Sequence, residues 1–252
     1  MLKQRLIPTL LLRDNRLVKG VNFDNYRETG NPVSAARIYN AQYVDELIII
    51  DIDATNEQRS FSSAIIDKIS KECFMPLTIG GGINSIKVIR DLVLKGADKV
   101  VINSAVFDNN SLISEAANIF GKQCIVVGID VKNEMGAYRV YRNSGKVLCD
   151  VELIDHVKNV EQMGAGEIFI NNISNDGKME GYDLNLINLL TSNSNLPIIA
   201  CGGAGNFKHL SEAYSKTNVS GLAMASIFHF GDNNPIRARA FLKNNKINLK
   251  NI

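Results

Sequence analysis

The chain has 252 residues, of which 45% are hydrophobic and 21% are charged. This composition supports one large buried core and excludes an intrinsically disordered protein. The 28 Lys and Arg residues nearly balance the 26 Asp and Glu residues, which gives a net charge of +2. The basic excess of a nucleic-acid-binding protein is therefore missing, and no apolar run is long enough to span a membrane.

The cysteines and histidines give no pattern of a metal site or a disulfide framework. The four cysteines (Cys73, Cys124, Cys149 and Cys201) form no CxxC pair, and the three histidines are far apart in the sequence. We therefore expect a cytoplasmic protein in a reducing compartment, with no metal and no cofactor.

Eight short apolar runs typical of β-strands alternate with helical stretches along the chain. They cover residues 6–11, 47–51, 77–80, 99–102, 125–129, 168–171, 198–201 and 221–225. Eight βα units in about 250 residues match the size of a TIM (βα)8 barrel, an α/β fold. A doubly wound open sheet is the main alternative, but residues 12–15, after the first strand, lack the glycine-rich turn expected there. Pro32, after Asn31, predicts the start of a helix.

The sequence also repeats itself once. Residues 46–51, 76–82 and 102–104 are similar to residues 167–172, 197–203 and 224–226, at a constant offset of 121 to 122 residues. The repeat predicts two (βα)4 half-barrels, about 1–121 and 122–252, and favours a closed barrel over an open sheet. Because no linker-like composition separates the halves, residues 1–252 are predicted to form a single domain.

Glycines and serines follow four of the predicted strands, at positions that the repeat relates. In a parallel barrel the functional loops lie at the carboxyl ends of the strands. Glycine lets backbone N–H groups approach an anion, and a serine hydroxyl adds a donor. Glycines after strands are often plain turn residues, but the repeated pairing with serine favours two phosphate sites and a phosphorylated small molecule with a phosphate at each end. The candidates are Gly81, Gly82, Asn103, Ser104, Gly202, Gly203, Ala225 and Ser226.

Three carboxylates are predicted at the same end of the barrel. Asp51 ends the second strand, Asp130 ends the fifth, and Asp176 follows the sixth in an Asp176-Gly177 pair that is equally compatible with a simple turn. Carboxylates at a polar mouth are candidates for proton transfer or hydroxyl binding. Asp130 is the leading catalytic candidate because it closes an otherwise apolar strand. Lys19, in the predicted loop after the first strand, either closes over a phosphate or is solvated.

Charged residues flank the starts of four predicted strands at the opposite end of the barrel. Arg5, Glu46, Lys99 and Glu167 stand at or just before strands one, two, four and six. Charges beside strands are common, but Glu46 and Glu167 are partners in the repeat and the cations stand between or beside them. The pattern predicts a salt-bridged ring at the base of the barrel, which matters if a molecule enters from below.

In combination, these motifs resemble the cyclase subunit of imidazole glycerol phosphate synthase, a lyase of histidine biosynthesis, over residues 5 to about 230. The resemblance implies a glutaminase partner that docks at the base, near Asp98, and makes ammonia. It also implies that ammonia passes the charged ring and reacts at the mouth with a doubly phosphorylated substrate. The motifs are Val18-Lys19-Gly20-Val21-Asn22-Phe23, Asp45-Glu46-Leu47, Gly80-Gly81-Gly82-Ile83, Gly96-Ala97-Asp98-Lys99-Val100, Asp176-Gly177 with Gly181-Tyr182-Asp183, and Gly202-Gly203-Ala204-Gly205.

The chain departs from the family pattern at the mouth. Leu11 stands where the family carries an aspartate that acts with the strand-five aspartate, and Asn171 and Lys178 stand where threonines are usual. A leucine cannot carry a proton. We therefore prefer a branch that resembles subunits acting with a glutaminase-like protein and a sugar amidotransferase, which convert an acetamido to an acetamidino group on a surface-polysaccharide sugar.

Three alternatives stay open at this point. The first is a genuine cyclase subunit of histidine biosynthesis, and the second is a non-catalytic ammonia conduit that activates the glutaminase. The third is the sister isomerase of histidine synthesis, which shares the barrel and the phosphate sites but also needs an aspartate at the position of Leu11.

Overall fold

Eight parallel strands form a closed barrel in the computed structural model, which describes residues 3–229 and 232–250. Neighbouring strands pair in chain order, and the last pairs with the first, with Arg5 opposite Gly221. The closure confirms the predicted TIM barrel and excludes the open sheet. The barrel strands are β1 (Arg5–Arg13), β4 (Leu47–Asp51), β5 (Leu77–Gly80), β6 (Lys99–Ile102), β7 (Ile125–Glu134), β10 (Glu167–Asn172), β11 (Ile198–Cys201) and β12 (Gly221–Met224).

Helices surround the barrel and cover the outer faces of its strands. The first begins at Pro32, as predicted, because the Asn31 side chain accepts hydrogen bonds from the N–H groups of Val33 and Ser34. None of the described helices is long and apolar enough to cross a membrane. The helices are α1 (Pro32–Ala41), α2 (Ser63–Ser70), α3 (Ile86–Leu94), α4 (Ala105–Asp108), α5 (Leu112–Phe120), α6 (Leu153–Met163), α7 (Leu184–Asn193), α8 (Phe207–Lys216), α9 (Ser226–His229) and α10 (Pro235–Asn244).

Two antiparallel hairpins that the sequence analysis did not predict extend the barrel at its carboxyl end. One follows β1 and consists of β2 (Arg16–Val21) and β3 (Asp24–Gly30). The other follows β7 and consists of β8 (Ala137–Arg142) and β9 (Val147–Glu152). Two predictions are therefore wrong in detail. Lys19 lies on a strand of the first hairpin rather than in a loop, and Asp130 lies within β7 rather than at its end.

The inward-facing side chains of the barrel form three layers. A charged layer lies at the base, where the strands begin, and polar groups lie at the carboxyl end. Between them lies an apolar layer, in which every side chain is at most 6% exposed. Because side chains of a strand alternate between its two faces, residues two apart on one strand occupy successive layers. The apolar layer consists of Ile7, Ile48, Val101, Val126, Phe169, Ile199 and Ala223.

Candidate functional site

The carboxyl end of the barrel holds a cavity of about 560 Å³. This volume lies in the range of small-molecule binding sites. The cavity brings together all thirteen residues that the sequence analysis predicted for catalysis and substrate binding, although they come from distant parts of the chain. They are Lys19, Asp51, Gly81, Gly82, Asn103, Ser104, Asp130, Asp176, Gly177, Gly202, Gly203, Ala225 and Ser226.

The glycines after β5 form the first of two cradles. Gly81 and Gly82 have φ angles of 109° and 66°, a region that side chains rarely adopt. A Cβ atom on Gly82 would lie 2.0 Å from the carbonyl oxygen of Arg59, so only glycine fits. Across from them the Oγ of Ser104 accepts a hydrogen bond of 2.9 Å from the N–H of Asn143. The hydroxyl proton of Ser104 is thereby left to donate to a ligand.

The second cradle follows β11 and has the same construction. Gly202 and Gly203 have φ angles of 101° and 105°. A Cβ atom on Gly203 would lie 1.9 Å from the carbonyl oxygen of Gly181. Ser226, 5% exposed, follows β12 as Ser104 follows β6. In the closed strand order, β5 and β6 lie opposite β11 and β12. The two cradles therefore face each other across the mouth, which suits a ligand with an anionic group at each end.

Asp130 lies between the cradles and is a buried carboxyl group whose pKa is raised. It is 9% exposed, and the Nδ2 of Asn103 donates to its Oδ2 over 2.9 Å. Burial raises the pKa of Asp130 to about 7, although the Asn103 hydrogen bond works against the increase and Asp176 adds to it. A carboxyl group with this pKa both gives and accepts protons near neutral pH, which suits general acid–base chemistry.

Leu11 lines the same cavity from β1, the strand that lies opposite β7 in the barrel. Its side chain is partly buried and stands across the mouth from Asp130. The position opposite Asp130 on β1 therefore carries no group that can transfer a proton. Asn171, the second departure from the family pattern, also lines the cavity, while Lys178 is exposed and does not line it.

Lys19 is held in a buried ion pair, so of the two alternatives left open for it the solvated lysine is wrong. The side chain is 2% exposed, and its Nζ donates to both carboxylate oxygens of Asp176 at 2.9 Å. Close by, the Nδ2 of Asn22 donates to the carbonyl oxygen of Ile173 over 2.6 Å. These contacts fix the first hairpin to the segment after β10, on the opposite half of the barrel.

The second hairpin binds the segment after β4 in a matching way. The Oγ of Ser144 donates to the carbonyl oxygen of Ile52 over 2.7 Å. A Cβ atom on Gly145, beside Ser144, would lie 3.1 Å from the ring of Phe23, in the first hairpin. The tips of the two hairpins therefore meet over the mouth. Asp51, predicted for ligand binding, pairs here with Arg59, whose Nη2 donates over 3.1 Å.

The charged layer at the base is a closed ring of four side chains. The Nη1 of Arg5 lies 2.8 Å from Glu46, and the Nζ of Lys99 lies 2.9 Å from Glu46 and 2.7 Å from Glu167. Arg5 also pairs with Glu167 and completes the ring. Asp98 lies outside the ring, exposed to solvent, and accepts a hydrogen bond of 2.8 Å from the N–H of Leu77.

Several residues of the site were not predicted as site residues, although Asn171 was named as a departure from the family pattern and Phe23 as part of a family motif. Thr9 and Asn171 line the floor of the cavity, and both lie two residues along their strands from members of the apolar layer. The alternation of side chains along β1 and β10 was the available signal. Arg59, Phe23 and Tyr26 lie on loops or hairpins whose fold the apolar pattern does not reveal.

The fold and the cavity define a (βα)8-barrel protein with two glycine-lined cradles around one protonatable carboxyl group. A family model described as "Histidine biosynthesis protein" matches residues 5–234. The chain is 41% identical to "Imidazole glycerol phosphate synthase subunit HisF" of Chlorobaculum parvum, over 99% of this chain and 100% of the relative.

Two further relatives carry the same name. The one from Hydrogenobaculum sp. is 42% identical over 99% of this chain and 100% of its own length. The one from Lactococcus lactis subsp. cremoris is 42% identical over 92% of this chain and 90% of its own length. The chain therefore belongs to the family of cyclase subunits of imidazole glycerol phosphate synthase. These names favour the histidine-biosynthesis alternative over the surface-sugar branch preferred from the sequence.

Proposed function

We propose that this chain is the ammonia-accepting subunit of a complex with a glutaminase, and that it uses ammonia on a ligand with two phosphates. The main support for the proposal is the order of the side-chain layers along the barrel axis. A charged ring lies at the base, an apolar layer lies above it, and the cavity with Asp130 lies at the top. An apolar layer admits neutral ammonia and opposes charged species, because burying an unpaired ion is costly.

The glutaminase is proposed to bind the base of the barrel, over the ring and Asp98. Ring members reach the surface there, with Arg5 and Lys99 side chains 19% and 18% exposed. Large apolar side chains in the segments before the strands are also exposed, such as Phe74 at 89% and Leu94 at 77%. Exposed large apolar side chains that cluster on one face are typical of a protein-binding surface. A location in a reducing cytoplasm is part of this proposal.

At the mouth, the two cradles are proposed to hold the phosphates and to place the reacting carbon between them. Asp130 then transfers protons while the carbon–nitrogen bond forms, and its raised pKa keeps both protonation states available. The glycines contribute backbone N–H groups to the phosphates, and the Ser104 and Ser226 hydroxyls add further donors. The meeting hairpins limit the access of water from above.

The first candidate reaction is imidazole ring closure in histidine biosynthesis, because the relatives are named for it. A second candidate is favoured by one specific observation, Leu11 on the wall opposite Asp130. In this second reaction the chain supplies ammonia for an acetamidino group on a surface-polysaccharide sugar, together with a sugar amidotransferase. It needs the glutaminase surface and the ammonia passage but not the second cyclase carboxylate.

An assay with ammonium salts, which needs no glutaminase, separates the two reactions. We expect this chain to convert the doubly phosphorylated substrate of the cyclase family about 10²–10⁴-fold more slowly than a relative that has the carboxylate, the usual cost of losing one general acid–base group. Leu11→Asp should recover part of the rate. Leu11→Asn should not, because asparagine has the size of aspartate but cannot give or accept a proton near neutral pH. Turnover of the unaltered chain at roughly 1–10³ s⁻¹, an ordinary enzyme rate, would assign it to histidine biosynthesis.

A further inference from the structure

Three buried oxygen atoms at the floor of the cavity have no hydrogen-bond partner in the described part of the chain. They are the Oγ1 of Thr9, the Oδ1 of Asn103 and the Oδ1 of Asn171. Thr9 is only 3% exposed. An unpaired buried polar atom is rare in a native protein and costs about 1–3 kcal/mol. Three of them around one cavity indicate that a bound ligand supplies the missing hydrogen-bond partners.

These oxygens occupy the first polar layer above the apolar layer. Thr9 lies two residues after Ile7 on β1, and Asn171 lies two residues after Phe169 on β10. Asn171 is paired in register with Asp130 of the neighbouring strand β7, and Asn103 is hydrogen-bonded to the same carboxyl group. Asn103, Asp130 and Asn171 thus lie side by side at one edge of the cavity floor, on the neighbouring strands β6, β7 and β10. Thr9 lies at the opposite edge, on β1.

The chemical character of the unpaired atoms restricts the ligand. The orientation of the Asn103 amide is fixed because its Nδ2 donates to Asp130, so its oxygen is a free acceptor. The Asn171 oxygen and the Thr9 hydroxyl are acceptors as well, and the ionised Asp130 carboxylate is a fourth. A site in which four groups present an oxygen that can accept, one of them negatively charged, fits a small cation with several N–H donors. An ammonium ion has four N–H donors and no acceptor.

We propose that the floor of the cavity is a reception site that holds the incoming nitrogen as an ammonium ion between Thr9 and the side chains of Asn103, Asp130 and Asn171. The proposal rests on the function proposed above and specifies where its ammonia is held. Neutral ammonia leaves the apolar layer and takes the proton of the Asp130 carboxyl group, which leaves an ammonium ion beside a carboxylate. Before the nitrogen attacks the substrate, the same proton returns to Asp130 and restores the lone pair.

Thr9 and Asn171 act as positioning residues in this scheme, because they orient the ion and exchange no proton with it. The ion pair with Asp130 supplies the charge complementarity, and the neutral oxygens accept the remaining N–H groups. Water is the competing occupant, since a buried polar site with several partners also holds water. The test therefore has to distinguish a monovalent cation from water.

Thallium(I), a monovalent cation close to ammonium in size with strong anomalous scattering, is the probe. Crystals of the chain soaked in thallium(I) acetate should show an anomalous peak within contact distance of Asp130, Asn103, Asn171 and Thr9. Excess ammonium acetate should displace the peak, and an equal concentration of sodium acetate should leave it. A floor without a peak, or a peak that sodium displaces equally well, would overturn the proposal.

Variants that remove single oxygens test which residues build the site. Thr9→Val and Asn171→Leu should each lower the thallium occupancy about fivefold, the cost of one ordinary hydrogen bond. Thr29→Val is the matched control, since it removes another buried unpaired hydroxyl that does not line the cavity. Unchanged occupancy in both floor variants would contradict the proposal. The soaked crystals contain neither the glutaminase nor a substrate. A missing thallium peak therefore contradicts the reception site but not the proposed complex with a glutaminase. Failure to form that complex would contradict the proposed function but would leave an observed thallium peak valid.

Discussion

Asp130 shows at the scale of one residue how burial produces chemistry. The side chain is buried among the barrel walls, and within residues 3–229 and 232–250 a single side-chain donor, the Nδ2 of Asn103, stabilises its charged form. Burial raises its pKa to about 7 from an ordinary value of 3.8. The folded protein therefore binds this proton more tightly than the unfolded chain does. A group of this kind lowers the stability of the fold at neutral pH, and such a cost is typical of a functional site.

Replacing Asp130 by Asn should stabilise the protein at high pH and have little effect at low pH. The carboxyl group lowers the free energy of unfolding progressively as the pH rises from about 4 to about 7, and the loss is constant above that range. Asp130→Asn should therefore gain up to about 4 kcal/mol at pH 8, since one pKa unit corresponds to about 1.4 kcal/mol.

Urea unfolding at pH 8 and at pH 4 measures this difference. The exposed Asp150→Asn is the control and should show no comparable dependence on pH. If Asp130→Asn is equally or less stable than the unaltered protein at pH 8, the raised pKa of Asp130 is wrong.

At the scale of elements, the two hairpins hold the mouth of the barrel together across its halves. The first hairpin is fixed by the buried pair of Lys19 with Asp176, two residues 157 positions apart in the chain. The second hairpin is fixed by Ser144 to the segment after β4. Since each hairpin binds a segment of the other half, the covering of the cavity depends on contacts between the halves. The two-fold repeat itself stays a prediction.

Removing Lys19 should destabilise the protein strongly, because it leaves the Asp176 carboxylate buried without a partner. Breaking a buried ion pair in this way typically costs about 3–5 kcal/mol. Lys19→Met should show this loss in urea unfolding, and Lys19→Met with Asp176→Asn should recover part of it. Lys71→Met, which removes an exposed ion pair with Asp67, is the control and should cost about 0.5 kcal/mol or less. Equal stability of the Lys19 and Lys71 variants would contradict the buried pairing.

The sequence predicted the barrel strands better than the hairpins, for a physical reason. The predicted bounds of β4, β5, β6 and β11 agree with the structure because their apolar runs are buried on both faces and end sharply. The hairpin strands carry no such run: β3, β8 and β9 have few buried residues, and the four buried residues of β2 include Lys19 and Gly20. A turn signal was present at Asp14 and Asn15, both of which have positive φ, as tight hairpin turns require.

The sequence predicted which residues line the site but not which of them form ion pairs. Inward-facing residues at the ends of barrel strands meet whenever the barrel closes, so Asp130, the glycines and the ring could be placed from the sequence. Lys19 with Asp176 and Asp51 with Arg59 depend on how hairpins and loops fold over the mouth. Nothing in the apolar pattern encodes those contacts.

At the scale of the whole molecule, the two cradles on opposite sides of one mouth make a prediction about ligands. A ligand with a phosphate at each end should bind more tightly than the same ligand with one phosphate, because each cradle contributes separately. Gly82→Ala should lower the affinity for the bisphosphate and bring it close to that of the monophosphate. Titration calorimetry measures both, with Gly136→Ala, whose Cβ would meet no neighbouring atom, as a control for a glycine of positive φ. Equal affinities of the unaltered chain for both ligands would contradict the two-site arrangement.

The proposed route of ammonia from the charged base to Asp130 requires a partner that delivers ammonia at the base. Titration calorimetry of this chain with the glutaminase subunit from the same organism tests that claim most directly. We predict a one-to-one complex with a dissociation constant of about 1 μM or tighter, as for a standard protein interface. Asp98→Lys should slow association by reversing a charge at the base. No detectable binding at micromolar concentrations of both proteins would contradict the account.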